Sequence, residues 1–285
     1  MVGAAMEGVS DMVSAGGHGL SGLSAAVVLY RPDLALLRQC LLALQAACVQ
    51  AGTGVTLCLV DNSETGMSVA DRAWFDEVGL AVAWQAGHGN VGFGRGHNLA
   101  IARAESEFHL VLNPDLELEP EALVHALAFM RAHPEAALVV GDGFNDAGQR
   151  EYLCKRYPTV FDLFLRGFAP RAIKARFRAR LDRYEMRDVI GQGQVVWDPP
   201  IVSGCFMLFR TEVLRRLGGF DPSFFLYFED FDLSIRARGV GRVAYVPAVR
   251  FVHHGGYAAK KGLKHIRFFC VSAARFFSKH GWRWW

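Results

Sequence analysis

The chain has 285 residues, of which 52% are hydrophobic, and this is enough for one large α/β domain with a substantial core. No run of about 18 apolar residues occurs, so the sequence predicts no membrane-spanning helix. Six cysteines are scattered without a CxxC pair, which disfavours a structural zinc site and favours reduced thiols in a cytoplasmic protein.

The net charge of +3 is distributed unevenly. Residues 150–183 carry ten Lys or Arg against three Asp or Glu, and residues 259–285 carry seven Lys or Arg and no acid. Both segments are rich in aromatics, and this mixture is typical of a surface that contacts an anionic membrane. The alternative is that the aromatics pack on the domain and the charges are solvated. Nucleic acid is disfavoured because no recognised nucleic-acid module occurs.

Residues 1–22, rich in Gly, Ser and Ala, are expected to form a flexible tail rather than a secretory signal. Beyond them, strand-length apolar runs alternate with helix-like stretches, which predicts a largely parallel sheet covered on both faces. The predicted strands span residues 24–30, 55–60, 80–84, 108–112 and 137–140, and the predicted helices span 32–50 and 96–105, with another starting at 119–121.

The alternation breaks near residue 148. A basic, aromatic insertion follows over residues 148–193, and strand-like sequence resumes at 195–210. A helix is predicted to begin at the acidic cluster and end at Arg238, followed by a last strand over 243–252. Residues 257–285 are expected to form a basic, aromatic helical appendage.

Three predicted strand ends carry polar side chains: Asp61-Asn62, Asn113-Pro114-Asp115 and His253-His254. Each is compatible with an ordinary turn. Ligands of open α/β sheets nevertheless gather at the carboxyl ends of strands, so the three together indicate a site. Asp115 and a histidine would suit a divalent cation, and this pair of ligands favours Mn²⁺ over Mg²⁺.

Residues 87–98 contain five glycines, which allow close backbone approach and offer amides to a phosphate. They match neither the P-loop nor the dinucleotide fingerprint, so a simple glycine-rich turn is equally compatible.

Glu229, Asp230 and Asp232 lie in the aromatic segment 224–232, after the glycine-rich turn 218–222. A carboxylate held beside an apolar wall can act as a general base. The alternative is that these acids only cap the first turn of a helix.

In order and spacing, these motifs resemble the family 2 glycosyltransferases of the GT-A fold, in particular the bacterial rhamnosyltransferase-like branch. The resemblance covers about residues 23–256 and implies a GT-A domain there, with a Rossmann-like, mostly parallel sheet flanked by helices. The segments that carry it are 27–30, 60–63, 90–98, 112–115, 218–221 and 225–233.

The resemblance implies an inverting transfer of a sugar, rhamnose from dTDP-rhamnose in the first instance, to a glycan or polyprenyl-linked acceptor. Asp230 matches the general base, while Glu229 and Tyr227 are expected to bind the acceptor and Asp232 to cap the helix. The residues expected around the nucleotide sugar are Tyr30, Asp61, Asn62, Asn90, Gly94, Asn98, Asn113 and Asp115.

Asp115 matches the last position of the family's DxD metal motif, and His253, or alternatively His254, matches the histidine that some members add. Asn113 stands where the first aspartate is usual, so the expected Mg²⁺ or Mn²⁺ site has one carboxylate fewer.

The enzyme is expected to act in cell-surface polysaccharide synthesis such as lipopolysaccharide, on the cytoplasmic side and peripheral to the inner face of the plasma membrane. A UDP- or GDP-sugar donor, or a non-catalytic nucleotide- or glycan-binding homologue, remains an alternative. A nucleotidyltransferase is disfavoured because its glycine-rich basic N-terminal loop is missing. The oligomeric state is left open.

Overall fold

The computed structural model describes residues 22–255 and 262–285. The tail predicted for residues 1–22 therefore lies outside the described residues, apart from Gly22. A ten-stranded sheet forms the centre of the described part, and a second pair of short strands lies beside it.

The strands are β1 Leu23–Leu29, β2 Val55–Asp61, β3 Ala81–Gln85, β4 Phe108–Leu112, β5 Leu116–Leu118, β6 Ala136–Phe144, β7 Arg150–Glu151, β8 Cys154–Lys155, β9 Val196–Trp197, β10 Ile201–Val202, β11 Phe206–Arg210 and β12 Arg242–His253. The helices are α1 Leu34–Gln50, α2 Val69–Arg72, α3 Phe93–Ile101, α4 Ala122–Ala132, α5 Val160–Gly167, α6 Arg171–Arg176, α7 Arg178–Tyr184, α8 Thr211–Arg216, α9 Glu229–Arg238 and α10 Gly262–His280, with a 3-10 helix at Ala73–Val78.

The main sheet has the order β3-β2-β1-β4-β11-β6-β12-β5, with β7 beside β6 and β9 beside β12. The first four strands are parallel, and so are β6 and β12. β11 runs antiparallel to both β4 and β6, and β5 runs antiparallel to β12. The predicted α/β fold with a mostly parallel sheet flanked by helices is confirmed.

The first strands and α1 follow their sequence pattern closely, whereas α3 begins three residues before the predicted start and β5 was not predicted. β1 and β4 are buried along their whole length, as expected for strands covered on both faces. α1 begins after Asp33, whose carboxylate accepts hydrogen bonds from the N–H groups of Ala35 and Leu36. Its buried face includes Leu37, Leu41 and Leu44.

The basic insertion 148–193 contains two strands and the three helices α5, α6 and α7, which the sequence did not reveal. These helices are eight, six and seven residues long, too short to show a clear hydrophobic period. A capping box between Thr159 and Asp162 starts α5. Asp162 also pairs with Arg180 at 2.6 Å, which ties α5 to α7.

α10 packs on the loop before α9 and on α5. Its Phe276 and Phe277 are buried in one cluster with Leu163, Phe224 and Phe228. The alternative that the tail aromatics pack on the domain therefore holds for these two rings. It also holds in part for Trp285, which stacks on Phe161 of α5 with ring centroids 4.4 Å apart, although the tryptophans at 282, 284 and 285 are exposed. No helix within the described ranges, the 19-residue α10 included, is long and apolar enough to cross a bilayer.

Asp232 does not cap α9, contrary to the expectation from sequence. The cap position is Phe228, which offers no side-chain acceptor. Asp232 is fully buried and pairs with Arg236 at 2.6 Å, Lys279 at 2.6 Å and His280 at 2.8 Å. Because two of these partners lie on α10, the carboxylate connects α9 to the C-terminal helix.

Asp232→Asn should lower the free energy of unfolding by about 3 kcal/mol, because it leaves cationic side chains around a neutral buried amide. Urea unfolding followed by circular dichroism measures the change. Glu77→Gln is the control, since Glu77 pairs with Arg38 on the surface, and its effect should stay within about 0.5 kcal/mol. Equal effects of the two substitutions would contradict a stabilising role for the Asp232 contacts.

Candidate active site

The site forms where β11 begins beside the end of β4. Leu112 lies opposite Phe206, and the N–H of Asn113 donates to the carbonyl of Cys205 at 2.9 Å. Because β11 is antiparallel to β4, its first residues lie at the edge where the parallel strands end. Gly204 and Cys205 therefore meet the loop that carries Asp115.

Asp230 lies in the first turn of α9, half-buried at this edge. Its Oδ2 accepts from the N–H of Gly204 at 2.9 Å, and its Oδ1 accepts from the N–H of Phe231 at 2.9 Å. Burial raises the pKa of this carboxyl, although both backbone hydrogen bonds oppose the rise. The result is an oriented carboxylate with increased affinity for a proton.

Glu229 is only 4% exposed, and its Oε2 has no hydrogen-bond partner within the described part of the chain. Burial, and then the charge of Asp230, raise its pKa. Tyr227 and Phe228 precede it with φ of 70° and 66°, which is uncommon for residues other than glycine and often found at functional sites. The Tyr227 hydroxyl lies 2.9 Å from Nδ1 of His265.

Asp115 and His253 are brought together by the pairing of β5 with β12, in which His253 lies opposite Leu116. Nε2 of His253 is 3.5 Å from Oδ1 of Asp115, and Nδ1 is 2.7 Å from Oε2 of Glu151. Burial alone would lower the pKa of His253, but the bonds to Asp115 and Glu151 raise it to about 9.

His254, the alternative candidate, lies with other partners. Its Nε2 is 2.9 Å from Glu117 and its Nδ1 is 2.5 Å from Asp146. Only its backbone N–H reaches Asp115, at the carbonyl oxygen, over 2.9 Å. The imidazole that shares a space with the Asp115 carboxylate is that of His253.

Gly255 is a site residue that the sequence analysis missed. A Cβ at this position would lie 1.7 Å from Oδ2 of Asp115 and 3.4 Å from Nε2 of His253. Only glycine leaves this space to the carboxylate. The sequence signal for Gly255 is its position directly after the pair His253-His254. Gly204, whose N–H binds Asp230, is a second glycine of the site that the sequence analysis did not identify.

The residues present can supply part of a cation's coordination sphere. Asp115 and His253 offer a carboxylate and an imidazole, and the buried Oδ1 of Asn113 has no partner in the described residues. No group of three or more His, Cys, Asp or Glu spaced to hold a metal occurs in residues 22–255 or 262–285. Such a partial set suits a cation that keeps water and substrate phosphates as ligands.

The ends of β1 and β2 lie at the same edge, since the N–H of Asn62 donates to the carbonyl of Leu29 at 2.8 Å. Asp61 is fully buried, and its oxygens accept from the N–H groups of Ser63 at 2.9 Å and Met67 at 2.8 Å. Asp61 thus shapes the loop that follows β2. Tyr30 is 43% exposed, and its hydroxyl is 3.2 Å from Glu64.

The glycine-rich segment connects these loops to the turn before α9. The amide of Asn62 donates to the carbonyl of Gly92 at 3.0 Å, and Oδ1 of Asn90 accepts from the N–H of Gly92 at 3.1 Å. Gly92 has φ of 91°, and a Cβ there would lie 2.2 Å from the carbonyl oxygen of Phe225. The motif therefore works through close backbone packing.

Gly94 and Asn98 contact the turn 218–222. A Cβ at Gly94 would lie 2.8 Å from Cβ of Phe220. The Asn98 amide donates to the carbonyl of Phe220 and accepts from its N–H, each at 2.8 Å. The contacts described for both residues are with the protein, so they position the segment that leads to Asp230.

Comparison with known proteins gives a match over residues 22–264 to the family described as "Glycosyltransferase like family 2". "Rhamnosyltransferase WbbL" of Escherichia coli (strain K12) is 27% identical over 175 residues, 58% of this chain and 62% of that protein. The "N-acetylglucosaminyl-diphospho-decaprenol L-rhamnosyltransferase" of Mycobacterium tuberculosis (strain CDC 1551 / Oshkosh) is 36% identical over 58 residues, 20% of this chain and 19% of that protein. The alignments span less than two thirds of both relatives.

Solved structures share the fold at low identity. Residues 1–349 of TarS from S. aureus align with a TM-score of 0.55 and 16% identity, over 88% of this chain and 64% of that one. GalNAc-T7 with UDP, GalNAc and Mn²⁺ aligns with a TM-score of 0.62 and 12% identity, over 92% of this chain and 48% of that one. The mannosyltransferase PcManGT of Pyrobaculum calidifontis with GDP-Man and Mn²⁺ aligns with a TM-score of 0.53 and 16% identity, over 90% of this chain and 69% of that one. The expected GT-A type fold is confirmed.

Gly92→Ala should destabilise the protein more than Gly89→Ala, by about 2 kcal/mol or more. Both glycines have positive φ, but a Cβ at Gly89 meets nothing within 4 Å, whereas one at Gly92 meets the backbone of Phe225. Gly89→Ala is therefore the control, because it introduces only the strain of placing alanine at a positive φ, about 1–2 kcal/mol. Thermal and urea unfolding of the two variants measure the difference, and equal losses would contradict the close contact with Phe225.

Proposed function

The chain belongs to the glycosyltransferase-like family 2, and on that premise we propose that it is an inverting enzyme that moves a sugar from a nucleotide-activated donor to an acceptor hydroxyl. The observation that carries the proposal is the Asp230 carboxylate, which two backbone N–H groups orient and whose pKa burial raises. Both properties suit a general base.

In this proposal Asp230 accepts the proton of the acceptor hydroxyl while that oxygen attacks the anomeric carbon. The new carbon–oxygen bond forms as the bond to the nucleotide diphosphate breaks, and the diphosphate leaves with the electron pair. General-base assistance contributes about 10²–10⁴-fold to such a step. Glu229 and Tyr227, next to Asp230, are proposed to bind the acceptor.

A divalent cation, Mg²⁺ or Mn²⁺, is the proposed cofactor, supported by the Mn²⁺ in the structures of GalNAc-T7 and PcManGT. Asp115 and His253 would hold it, with Asn113 beside them. When bound, it would neutralise charge on the leaving diphosphate. Glu151 orients the His253 ring through Nδ1, which leaves Nε2 directed at the Asp115 carboxylate.

The nucleotide is proposed to lie along the ends of β1 and β2. Tyr30 offers an exposed ring to the base, and the loop shaped by Asp61 and Asn62 lies next to it. Asn90, Gly94 and Asn98 are proposed to shape the sugar pocket through the backbone contacts described above.

The proposed donor is dTDP-rhamnose, supported by the names of the two rhamnosyltransferase relatives. The proposed acceptor is a glycan or polyprenyl-linked sugar of cell-surface polysaccharide, since the mycobacterial relative is named for a diphospho-decaprenol acceptor. A UDP- or GDP-sugar is the alternative donor, favoured by the UDP-GlcNAc bound to TarS and the GDP-Man bound to PcManGT.

Asp230→Asn should reduce turnover by about 10²–10⁴-fold and leave nucleotide binding within about twofold, because only proton transfer is removed. A donor panel measures this: release of dTDP, UDP or GDP is followed with membrane extract as the acceptor source, with and without Mn²⁺ or Mg²⁺. Glu77→Gln is the control carboxylate substitution. If the wild type releases nucleotide from no donor, the proposal fails and a nucleotide- or glycan-binding homologue is favoured.

A peripheral position on the cytoplasmic face of the plasma membrane is proposed from one surface of the molecule. Phe168 of the insertion contacts Phe269 of α10 with ring centroids 6.3 Å apart, so the two basic segments adjoin. Leu263, at 84%, is among the most exposed apolar side chains. The membrane face comprises exposed Phe164, Phe168, Ile173, Leu263 and Ile266, with Arg171, Lys174, Lys264 and Arg267 on the same helices.

The double substitution Phe168→Glu with Leu263→Glu should weaken binding to vesicles containing phosphatidylglycerol by at least about tenfold, because it removes apolar contacts and adds negative charge. Co-sedimentation measures the partition. Val49→Glu, at an apolar position of α1 that is 72% exposed, is the control and should bind like the wild type. If the wild-type protein binds neither anionic nor zwitterionic vesicles, the proposed membrane association is ruled out.

A further inference from the structure

A second polar cluster reaches Asp230 from the insertion. Lys155 on β8 lies opposite Ile201 on β10, and the N–H of Ser203 donates to the carbonyl of Leu153 at 3.0 Å. The next residue, Gly204, holds the Asp230 carboxylate. β8 is therefore one hydrogen-bonded strand away from the proposed catalytic base.

Lys155 is 7% exposed, and its Nζ donates to the carbonyl of Tyr152. It makes no ion pair with any acid in the part of the chain that the structure covers. Glu185, which lies in its neighbourhood, pairs with Arg187 at 2.7 Å. Burial, and then the charge of Arg166, lower the pKa of Lys155 to about 7. A buried ammonium group in this position has a high free energy unless an anion compensates it.

Tyr184 adjoins the end of β8, because the N–H of Arg156, the residue after Lys155, donates to the Tyr184 carbonyl at 2.9 Å. Its side chain is 3% exposed, and its hydroxyl has no hydrogen-bond partner among the described residues. Buried hydroxyls are rarely left in this state in native proteins. The phenol is thus a donor available to a ligand.

Arg166, in the last turn of α5, is exposed and forms no ion pair with the acids in the described ranges. The nearby Asp162 is already paired with Arg180. Burial raises the pKa of Tyr184 and Asp230 and lowers that of Lys155, and for each group the positive charge of Arg166 acts in the direction of a lower pKa. Its guanidinium is therefore within electrostatic reach of all three groups.

We propose that Lys155, Arg166 and Tyr184 form an anion site for a phosphate or diphosphate group carried by the acceptor. The inference rests on the proposed function, because it places the acceptor's anion next to the base that deprotonates its hydroxyl. An ammonium, a guanidinium fork and a phenol offer several donors to phosphate oxygens, whereas a neutral glycan would not compensate the two cations. The donor diphosphate is proposed elsewhere, at Asp115 and His253.

The same anion occurs in a lipid-linked acceptor, where a diphosphate joins sugar and isoprenoid, and in a soluble sugar phosphate. The proximity of α5 to the proposed membrane face favours the lipid source. Farnesyl diphosphate, inorganic pyrophosphate and farnesol are probes that separate the contributions of anion and chain.

Titration calorimetry on the full chain, at probe concentrations below micelle formation, should show binding of farnesyl diphosphate. Lys155→Met and Arg166→Gln should each weaken it at least about tenfold, as expected for loss of a charged hydrogen bond. Tyr184→Phe should weaken it by about threefold or more. In parallel, binding of dTDP with Mn²⁺ should change less than about twofold. Arg131→Gln, an exposed cation in the last turn of α4, is the control.

Tight binding of farnesyl diphosphate but not pyrophosphate or farnesol would support a lipid diphosphate, and equal binding of pyrophosphate would support a soluble phosphorylated acceptor. If wild-type protein binds neither anion, or all variants bind like the wild type, the anion site is overturned. It is also overturned if the variants lose dTDP binding instead, which would assign these cations to the donor.

A thermal melt shows whether each variant folds. If Lys155→Met, at a buried position, does not fold, Arg166→Gln still tests the anion site because Arg166 is exposed. Binding of farnesyl diphosphate requires no turnover. Loss of anion binding in the variants, together with an inactive donor panel, would therefore support the anion site and reject only the proposed transferase activity.

Discussion

The hydrogen bond from the N–H of Asn113 to the carbonyl of Cys205 joins the two halves of the candidate site. It exists because β11 enters the sheet antiparallel between β4 and β6, so that its start meets the carboxyl edge of the parallel strands. Asp115 follows Asn113 by two residues. On the other side of the hydrogen bond, Gly204 directly precedes Cys205 and donates its N–H to the Asp230 carboxylate. A parallel β11 would start at the opposite edge and leave the two carboxylates apart.

Close approach at glycines determines how the remaining loops fit around this junction. Gly92 lies against the carbonyl of Phe225, and Gly255 lies against the carboxylate of Asp115. A methyl group at either position would occupy space that a polar oxygen already fills. The glycine-rich segment therefore holds the loops in contact.

Three neighbouring acids in one motif differ in their surroundings, and burial and partners account for the differences. Asp230 is half-buried and accepts two backbone hydrogen bonds. Glu229 is buried, and its Oε2 has no partner in the described residues; burial, and then the charge of Asp230, raise its pKa. Asp232 is buried among cations and connects α9 to α10. The C-terminal helix is thus tied to the same turn that presents the proposed base.

The sequence by itself determined the α/β class, most of the strands and α1, because these elements have strong local periodicity and a clear cap at Asp33. It also indicated the polar strand ends and the acidic motif. It missed β5, the helices of the insertion and the role of Asp232. The pairing of β5 with β12 places the imidazole of His253, and not that of His254, beside the Asp115 carboxylate. The Asp232 carboxylate pairs with Lys279 and His280 of α10 and does not cap α9. These outcomes depend on contacts between residues far apart in the chain, which no local pattern specifies and only the tertiary structure decides.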